Sequence, residues 1–268
     1  MPELTAEQIV EKNVAARGGL EAWRKIQTMV WIGHMESEHA PAPGMQFTLE
    51  QKRPNKTRFE LRGPGEKNVR MFDGTQGWKL GPAHEGQPGV RPYTPQELKF
   101  AQDTQGIDGP LIDYQAKGNT VTLEGAEQIE GQKAYRLNVR LASGESHHVW
   151  IDAQNFLDIK VDRRIETPSG TVATVAVFYR HFKTVEGLQI PSVIETGVGS
   201  GRQPDRMVIE RVALNARLND REFTHSDERV RRQGIATGVR TRPPLGQAPM
   251  EPSTLTAAPG PDPASGQK

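Results

Sequence analysis

Between Asn119 and Gly199 the chain repeats one pattern: a run of alternating apolar and polar residues, a tight turn containing glycine, then another run. The runs are Thr120–Glu124, Lys133–Ala142, Ser146–Asp152, Leu157–Arg164, Thr171–Phe182 and Leu188–Val198. Strands joined by turns this short lie antiparallel, and alternation at period two gives each a greasy face and a wet one. Five more runs precede them: Thr28–His39, Met45–Arg53, Lys56–Arg62, Lys67–Asp73 and Gly77–Leu80. Pro54-Asn55, Gly63-Pro64-Gly65 and Asp73-Gly74 punctuate these with turn chemistry. A final run, Arg206–Leu218, brings the expected total to about 11–12 strands. Such a sheet twists and curls, and its apolar face must be covered by the chain's own side chains or by a ligand.

Helices are signalled at three places. Thr5 with Gln8 is a capping box, and Leu4 and Ile9 stand at the staple positions, so a helix starts there and runs to Gly18-Gly19. Leu20–Ile26 reads as a second, short helix carrying Trp23. Thr94-Pro95-Gln96-Glu97 is another capping box with proline at N1, which predicts a helix from Pro95 to about Asp103 inserted into the meander. The approach to it, Gly81–Pro92, reads as a long loop of the kind that serves as a lid or binding loop. The fold class is therefore α+β and β-dominated: a curled antiparallel half-barrel whose concave face is lidded by the N-terminal helices and the inserted one.

From about Asp227 onward the text changes to arginines, glycines and seven prolines between Pro243 and Pro263. It has too little apolar surface to offset the entropy of ordering, so residues 227–268 read as a disordered basic tail behind one folded domain, residues 1–226. Arg229, Arg231, Arg232, Arg240 and Arg242 stand there without aromatic residues, so no stacking platform for nucleic acid exists. The formal net charge of +1 gives no global field toward nucleic acid either. Cysteine is absent, which excludes disulfides and thiolate chemistry. No run approaches the roughly 18 apolar residues of a membrane-spanning helix.

The residues expected to line the concave face are Phe47, Leu49, Phe59, Leu61, Val69, Met71, Trp78, Val121, Leu123, Tyr135, Leu137 and Val139, with Ile9, Leu20 and Trp23 on the lid above them. The competing reading makes the same residues plain core. Trp31 and Met35 share one face of the first strand and Val30 and Ile32 the other, so its phase stays open. His147 and His148 are neighbours on a strand and point to opposite faces, so they do not chelate one metal together. His34, His39, His84, His181 and His225 are scattered singles, read as solvated. Glu36 and Glu38 share a face near a strand end, and Asp152 and Asp158 sit at strand ends. No nucleophile elbow, phosphate-binding loop or dinucleotide fingerprint occurs, and no catalytic residue, metal or cofactor is expected.

Ala16-Arg17-Gly18-Gly19-Leu20-Glu21-Ala22-Trp23 resembles the opening of many proteins of the LolA-like superfamily, the outer-membrane lipoprotein carrier type. Gly125–Leu137, Val149–Asp152 with Phe156-Leu157, and above all Tyr179–Glu195 are similar to its later hairpins. The resemblance implies an incomplete barrel that accepts acyl chains of lipids or lipoproteins, acts without catalysis, and works as a monomer in the periplasm. It also implies handover, and so a protein partner in the inner or outer membrane. A periplasmic protein needs a leader, and Met-Pro-Glu-Leu-Thr has neither the basic start nor the apolar core of one, so the leader is expected to be missing from this chain. Two rivals remain: a lipid-sensing regulatory module of the envelope, and an envelope hydrolase that would need a polar cluster at the cavity mouth.

Overall fold

The computed structural model describes residues 4–38, 44–82, 89–104, 106–166, 171–198 and 204–225. Two helices, α1 (Ala6–Ala16) and α2 (Leu20–Lys25), are followed by strands β1 (Thr28–Glu36), β2 (Met45–Lys52), β3 (Lys56–Gly63), β4 (Glu66–Phe72), β5 (Gly77–Leu80) and β6 (Val90–Pro92). Helix α3 (Pro95–Asp103) interrupts the strands. The chain then returns through β7 (Thr120–Ile129), β8 (Gln132–Arg140), β9 (Ser146–Asp152), β10 (Asp158–Glu166), β11 (Val172–Val185), β12 (Leu188–Val198) and β13 (Asp205–Leu214), ending in a 3-10 turn at Asp220–Phe223.

All thirteen strands form one antiparallel sheet in the order β6-β5-β4-β3-β2-β1-β13-β12-β11-β10-β9-β8-β7. Two meanders are thus stitched together by β1 against β13, and β6 and β7 remain as open edges. One strand was not expected: Val90–Pro92 is β6, inside what reads in sequence as loop. Both capping boxes are formed as the sequence predicts. Thr5 and Gln8 exchange bonds at the start of α1, and Thr94 and Glu97 do so at α3. The tail expected over 227–268 lies outside the described residues, as do His39 and His84.

Register settles the open phase of β1. Met29, Trp31, Gly33 and Met35 stand opposite Gln51, Leu49, Phe47 and Met45 on the inner face, so Val30 and Ile32 face outward. Gly33 has a steric reason to be glycine. A Cβ there would lie 1.8 Å from the Val208 carbonyl oxygen and 3.0 Å from the Phe47 ring.

Gly18-Gly19 is equally specific. Gly18 has φ +112°, and a Cβ on it would sit 2.6 Å from the Gly187 carbonyl oxygen at the β11–β12 turn. Gln189 N–H donates to the Arg17 carbonyl at 3.1 Å, and so does Trp23 Nε1, also at 3.1 Å. The glycine pair therefore folds α2 back from α1 and docks the pair of helices onto the sheet.

Candidate functional site

The inner face of the curled sheet is a trough with three differently built parts. Under α1, Ile9 and Val10 pack with Tyr135, Leu137 and Val139 of β8 and with Val149 and Ile151 of β9. Under α2, Trp23 packs with Met29, Leu188 and Ile190. A third group, on β1, β2, β3, β12 and β13, is made only of sheet residues: Met35, Phe47, Leu49, Phe59, Ile194, Met207 and Ile209. Phe47 and Phe59 stack with ring centroids 6.2 Å apart.

The lining is closed in this conformation. Phe47, Leu49 and Phe59 are 0–4% exposed, and Leu137 and Val139 are fully buried, so neighbouring side chains cover each of them almost completely. The segment 106–119, unnoticed in the sequence, does much of the closing. Ile107 and Ile112 pack under α2, and Leu111 packs under α1. Asp108, 2% exposed, ties this plug down through ion pairs of 2.5 Å to Arg53 and 2.5 Å to Lys117. Burial pushes the Lys117 ammonium down, more than Asp108 restores it.

The expected lining residues do not all share this trough. Phe47, Leu49, Phe59 and Leu61 do, and so do Tyr135, Leu137, Val139 and Val121, although in two separate groups. Leu123 shares the face of Leu137 but is 37% exposed. Val69, Met71 and Trp78 are on the opposite, outer face. Met71 stands opposite Arg58 and Trp78, and Val69 stands opposite Glu60, whereas the inward Phe59 faces Arg70.

The reason for that correction is a second cover on the outside. After β13 the chain crosses the outer surface of β2 and β3, where Asp220 pairs with Lys52 at 2.8 Å and Lys56 at 3.0 Å. Phe223 is fully buried there, and the His225 ring packs on Trp78 at 5.4 Å. Arg58, 1% exposed, donates to Glu60 at 2.7 Å on the same face. Burial alone would raise the Glu60 carboxyl, but Arg58, Lys67 and Arg62 outweigh it and bring it down to about 2.

What lies inside at this end is charged. One rung of the sheet runs Val212–Trp31–Leu49–Phe59–Arg70–Lys79–Arg91, each residue directly opposite the next. The rung is apolar over four strands and cationic over the last three. Helix α3 lies on the cationic stretch. Glu97 accepts from Arg70 at 2.8 Å and from Lys79 at 2.7 and 2.9 Å while also capping its own helix through Thr94 N–H at 2.8 Å. Burial works to raise the Glu97 carboxyl, yet the bonds from Lys79, Thr94 and Arg70 hold it below the usual carboxylate range.

The far end of α3 reaches the other half of the sheet. Arg163 of β10 stacks on Phe100 with the guanidinium 3.8 Å from the ring centroid, and Lys99 pairs with Glu145 at the β8–β9 turn. Asn55 donates to the Ala101 and Gln102 carbonyls at 3.3 and 3.2 Å. A helix spanning the open side of the trough is thus clasped mainly by polar contacts. His147 stands opposite Arg163 on the inner face, and burial, helped by that guanidinium, lowers its imidazole to about 4. His148 faces outward, 3.4 Å from Glu124, as the strand geometry requires.

A separate pocket of about 410 Å³, of mixed polar and apolar lining, opens where β10 and β11 part, with Asp152, Asp158, Tyr179 and His181 among its residues. Pairing of these strands begins only at Lys160 opposite Phe178, which leaves the gap. Its acids are committed to structure. Asp152 accepts from the Gln154 and Asn155 N–H groups at 2.6 and 3.0 Å. Asp158 lies 3.4 Å from Asn13 Nδ2 and 3.5 Å from Arg17. Burial, and then the Asp158 charge, push the Tyr179 phenol up to about 12, so it stays protonated at neutral pH.

No protein-family profile matches the chain, and no curated protein matches its sequence. Solved structures do match its shape. A DUF1329 family protein from Desulfovibrio piger superposes with TM-score 0.55 at 15% identity, over 83% of this chain and 98% of that one. A putative outer membrane lipoprotein-sorting protein domain from Vibrio parahaemolyticus gives 0.55 at 12% identity, over 82% and 96%. A LolA superfamily protein from Nitrosomonas europaea gives 0.54 at 14% identity, over 84% and 99%. The curled thirteen-strand sheet, lidded by helices and left open between β6 and β7, is a LolA-like fold.

Proposed function

We propose that this chain is a non-catalytic periplasmic carrier that shelters the acyl chains of a lipid or lipoprotein in the trough. One observation carries the reading. The central apolar group is built from sheet residues alone, and the helix across the open side is clasped by ion pairs, an asparagine bridge and one cation–π contact. The fold it shares with the Vibrio lipoprotein-sorting domain and the Nitrosomonas LolA protein supports the same role.

The magnitudes permit exchange. Each buried methylene contributes about 0.8 kcal/mol, so a sixteen-carbon chain is worth roughly 12 kcal/mol gross. Partly exposed ion pairs contribute about 1 kcal/mol or less each. An acyl chain therefore outweighs the clasp, and the trough side chains that now fill one another's space would repack around it. No bond is made or broken; loading is a shift between closed and open populations.

The test uses the absence of native cysteine. Asn55→Cys with Gln102→Cys places one oxidisable pair across the clasp. Oxidised protein should lose uptake of a fluorescent fatty acid, and reduction should restore it. Native mass spectrometry of gently purified wild-type protein should also show bound lipid. Uptake by neither form, with no lipid recovered, refutes the carrier, and equal uptake by both refutes the opening at α3.

A further inference from the structure

The carrier reading says nothing about the polar end of its cargo, and the cationic part of the long rung does. We infer that Arg70, Lys79 and Arg91 form a subsite for the anionic head of a single amphiphile, and that Glu97 occupies it as an internal anion when the trough is empty. This rests on the carrier reading and adds the class of cargo: an acyl chain ending in a carboxylate or phosphate.

Three observations converge on it. The first is register: Arg70 follows Phe59 directly on the inner face, with Lys79 and Arg91 next. Adjacent strands are about 4.8 Å apart, so Val212 to Arg70 covers roughly 19 Å of curved wall, about the length of a long acyl chain. A chain lying along the apolar stretch would bring its head to the cations without leaving the rung.

The second is that an anion already sits there. The Glu97 carboxylate takes bonds from both Arg70 and Lys79, and its side chain is only 11% exposed. A carboxylate or phosphate would present the same oxygens to the same donors.

The third is Arg91. It is exposed at the open edge of the sheet and has no ionic partner among the described residues, although Lys79 beside it is paired. A structural clasp for α3 needs Arg70 and Lys79 only. The third cation extends the row beyond Glu97's reach, toward the side from which a head group would arrive.

Glu97 also caps α3, and this decides which variant is informative. Glu97→Gln keeps the capping bond, because glutamine serves at N3 as well as glutamate, while it removes the internal anion. The experiment measures competition against a fluorescent alkyl probe by laurate, by lauroyl lysophosphatidic acid and by neutral monolaurin. Wild-type, Glu97→Gln and Arg91→Ala proteins are compared after circular dichroism has established that each is folded.

The expected result is tighter binding of the charged ligands than of monolaurin. That gap should widen several-fold in Glu97→Gln and narrow about two- to fivefold in Arg91→Ala, the range of a partly exposed ion pair. Preference for the phosphate ligand alone would assign the head to a phospholipid, and for laurate alone to a free fatty acid. Equal binding of all three, unmoved by either variant, overturns the anionic subsite and leaves the carrier intact. Failure of all three to bind removes both.

Discussion

At the β7–β9 end of the sheet, Tyr135, Leu137 and Val139 face inward against Ile9 and Val10 of α1, and the outer face carries Glu124, Arg136 and Trp150 in polar contact. At the β4–β6 end the order is reversed. Arg70, Lys79 and Arg91 face inward beneath α3, while Val69, Met71 and Leu80 are buried on the outside, where the chain crosses after β13. One lid is thus held by apolar packing that water cannot loosen, and the other by charges that a competing ion or proton can. On the proposed carrier reading, this difference assigns the opening to α3 and leaves α1 in place.

The largest expected effect tests the outer cover. Phe223 is fully buried, and replacing a buried phenylalanine by alanine removes its transfer energy and leaves a cavity. Phe223→Ala should lose about 3–5 kcal/mol in urea unfolding. A loss below about 1 kcal/mol would mean that the outer face of β3–β5 is not sealed from that side. Next in size is the apolar lid. Ile9→Ala, at a position with 0% exposure, should lose about 2–5 kcal/mol and leave fatty acid uptake little changed in protein that remains folded. An increase in uptake comparable to that of an unclasped α3 would place the opening at α1 instead.

How far the sequence carries follows from the same contrast. Period-two alternation found every strand but β6 and each start to within one residue, because most strands bury one face. Where burial is absent it fell short, ending β7 at Glu124 instead of Ile129, and it carried β13 to Leu218 instead of Leu214. It misplaced Val69, Met71 and Trp78, because alternation tells that a face is buried and not which one; the tie is broken by Phe223, about 150 residues further on, with no local signal linking the two. The capping boxes at Thr5 and Thr94 were legible because their partners lie three residues apart. The same locality hid the role of Glu97: its cap is written in Thr94-Pro95-Gln96-Glu97, but Arg70 and Lys79 reach it only through tertiary register. The plug at Ile107, Leu111 and Ile112 has neither helix nor strand period, so pattern reading passed over it.

The charged lid should also answer to pH. Glu97 has a folded-state pKa below its ordinary 4.5, so it binds its proton more readily when α3 is undocked. The stabilisation it gives is present above about pH 4.5 and is lost as pH falls through the folded value. A dye on Gln102→Cys should report release of α3 in that acid window, and Glu97→Gln should abolish the pH dependence. The outer Arg58–Glu60 pair, with Glu60 at about 2, should hold until pH falls to about that value. Simultaneous loss of both would show that the ends are not independently sealed.

The smallest expected effect compares two leucines on one rung. Leu123 of β7 and Leu137 of β8 stand directly opposite each other on the inner face, yet Leu123 is 37% exposed and Leu137 is fully buried. Leu137 is enclosed by neighbours from β9 and by α1, whereas β7 is the edge strand with no sheet neighbour beyond it. Sharing a rung therefore gives the two side chains the same direction but not the same number of packing partners. Leu137→Ala should lose about 2–5 kcal/mol and Leu123→Ala under about 1 kcal/mol. Equal losses would show that α1 seals the sheet out to its edge, and the helix would then have to be lifted for any chain to enter past β7.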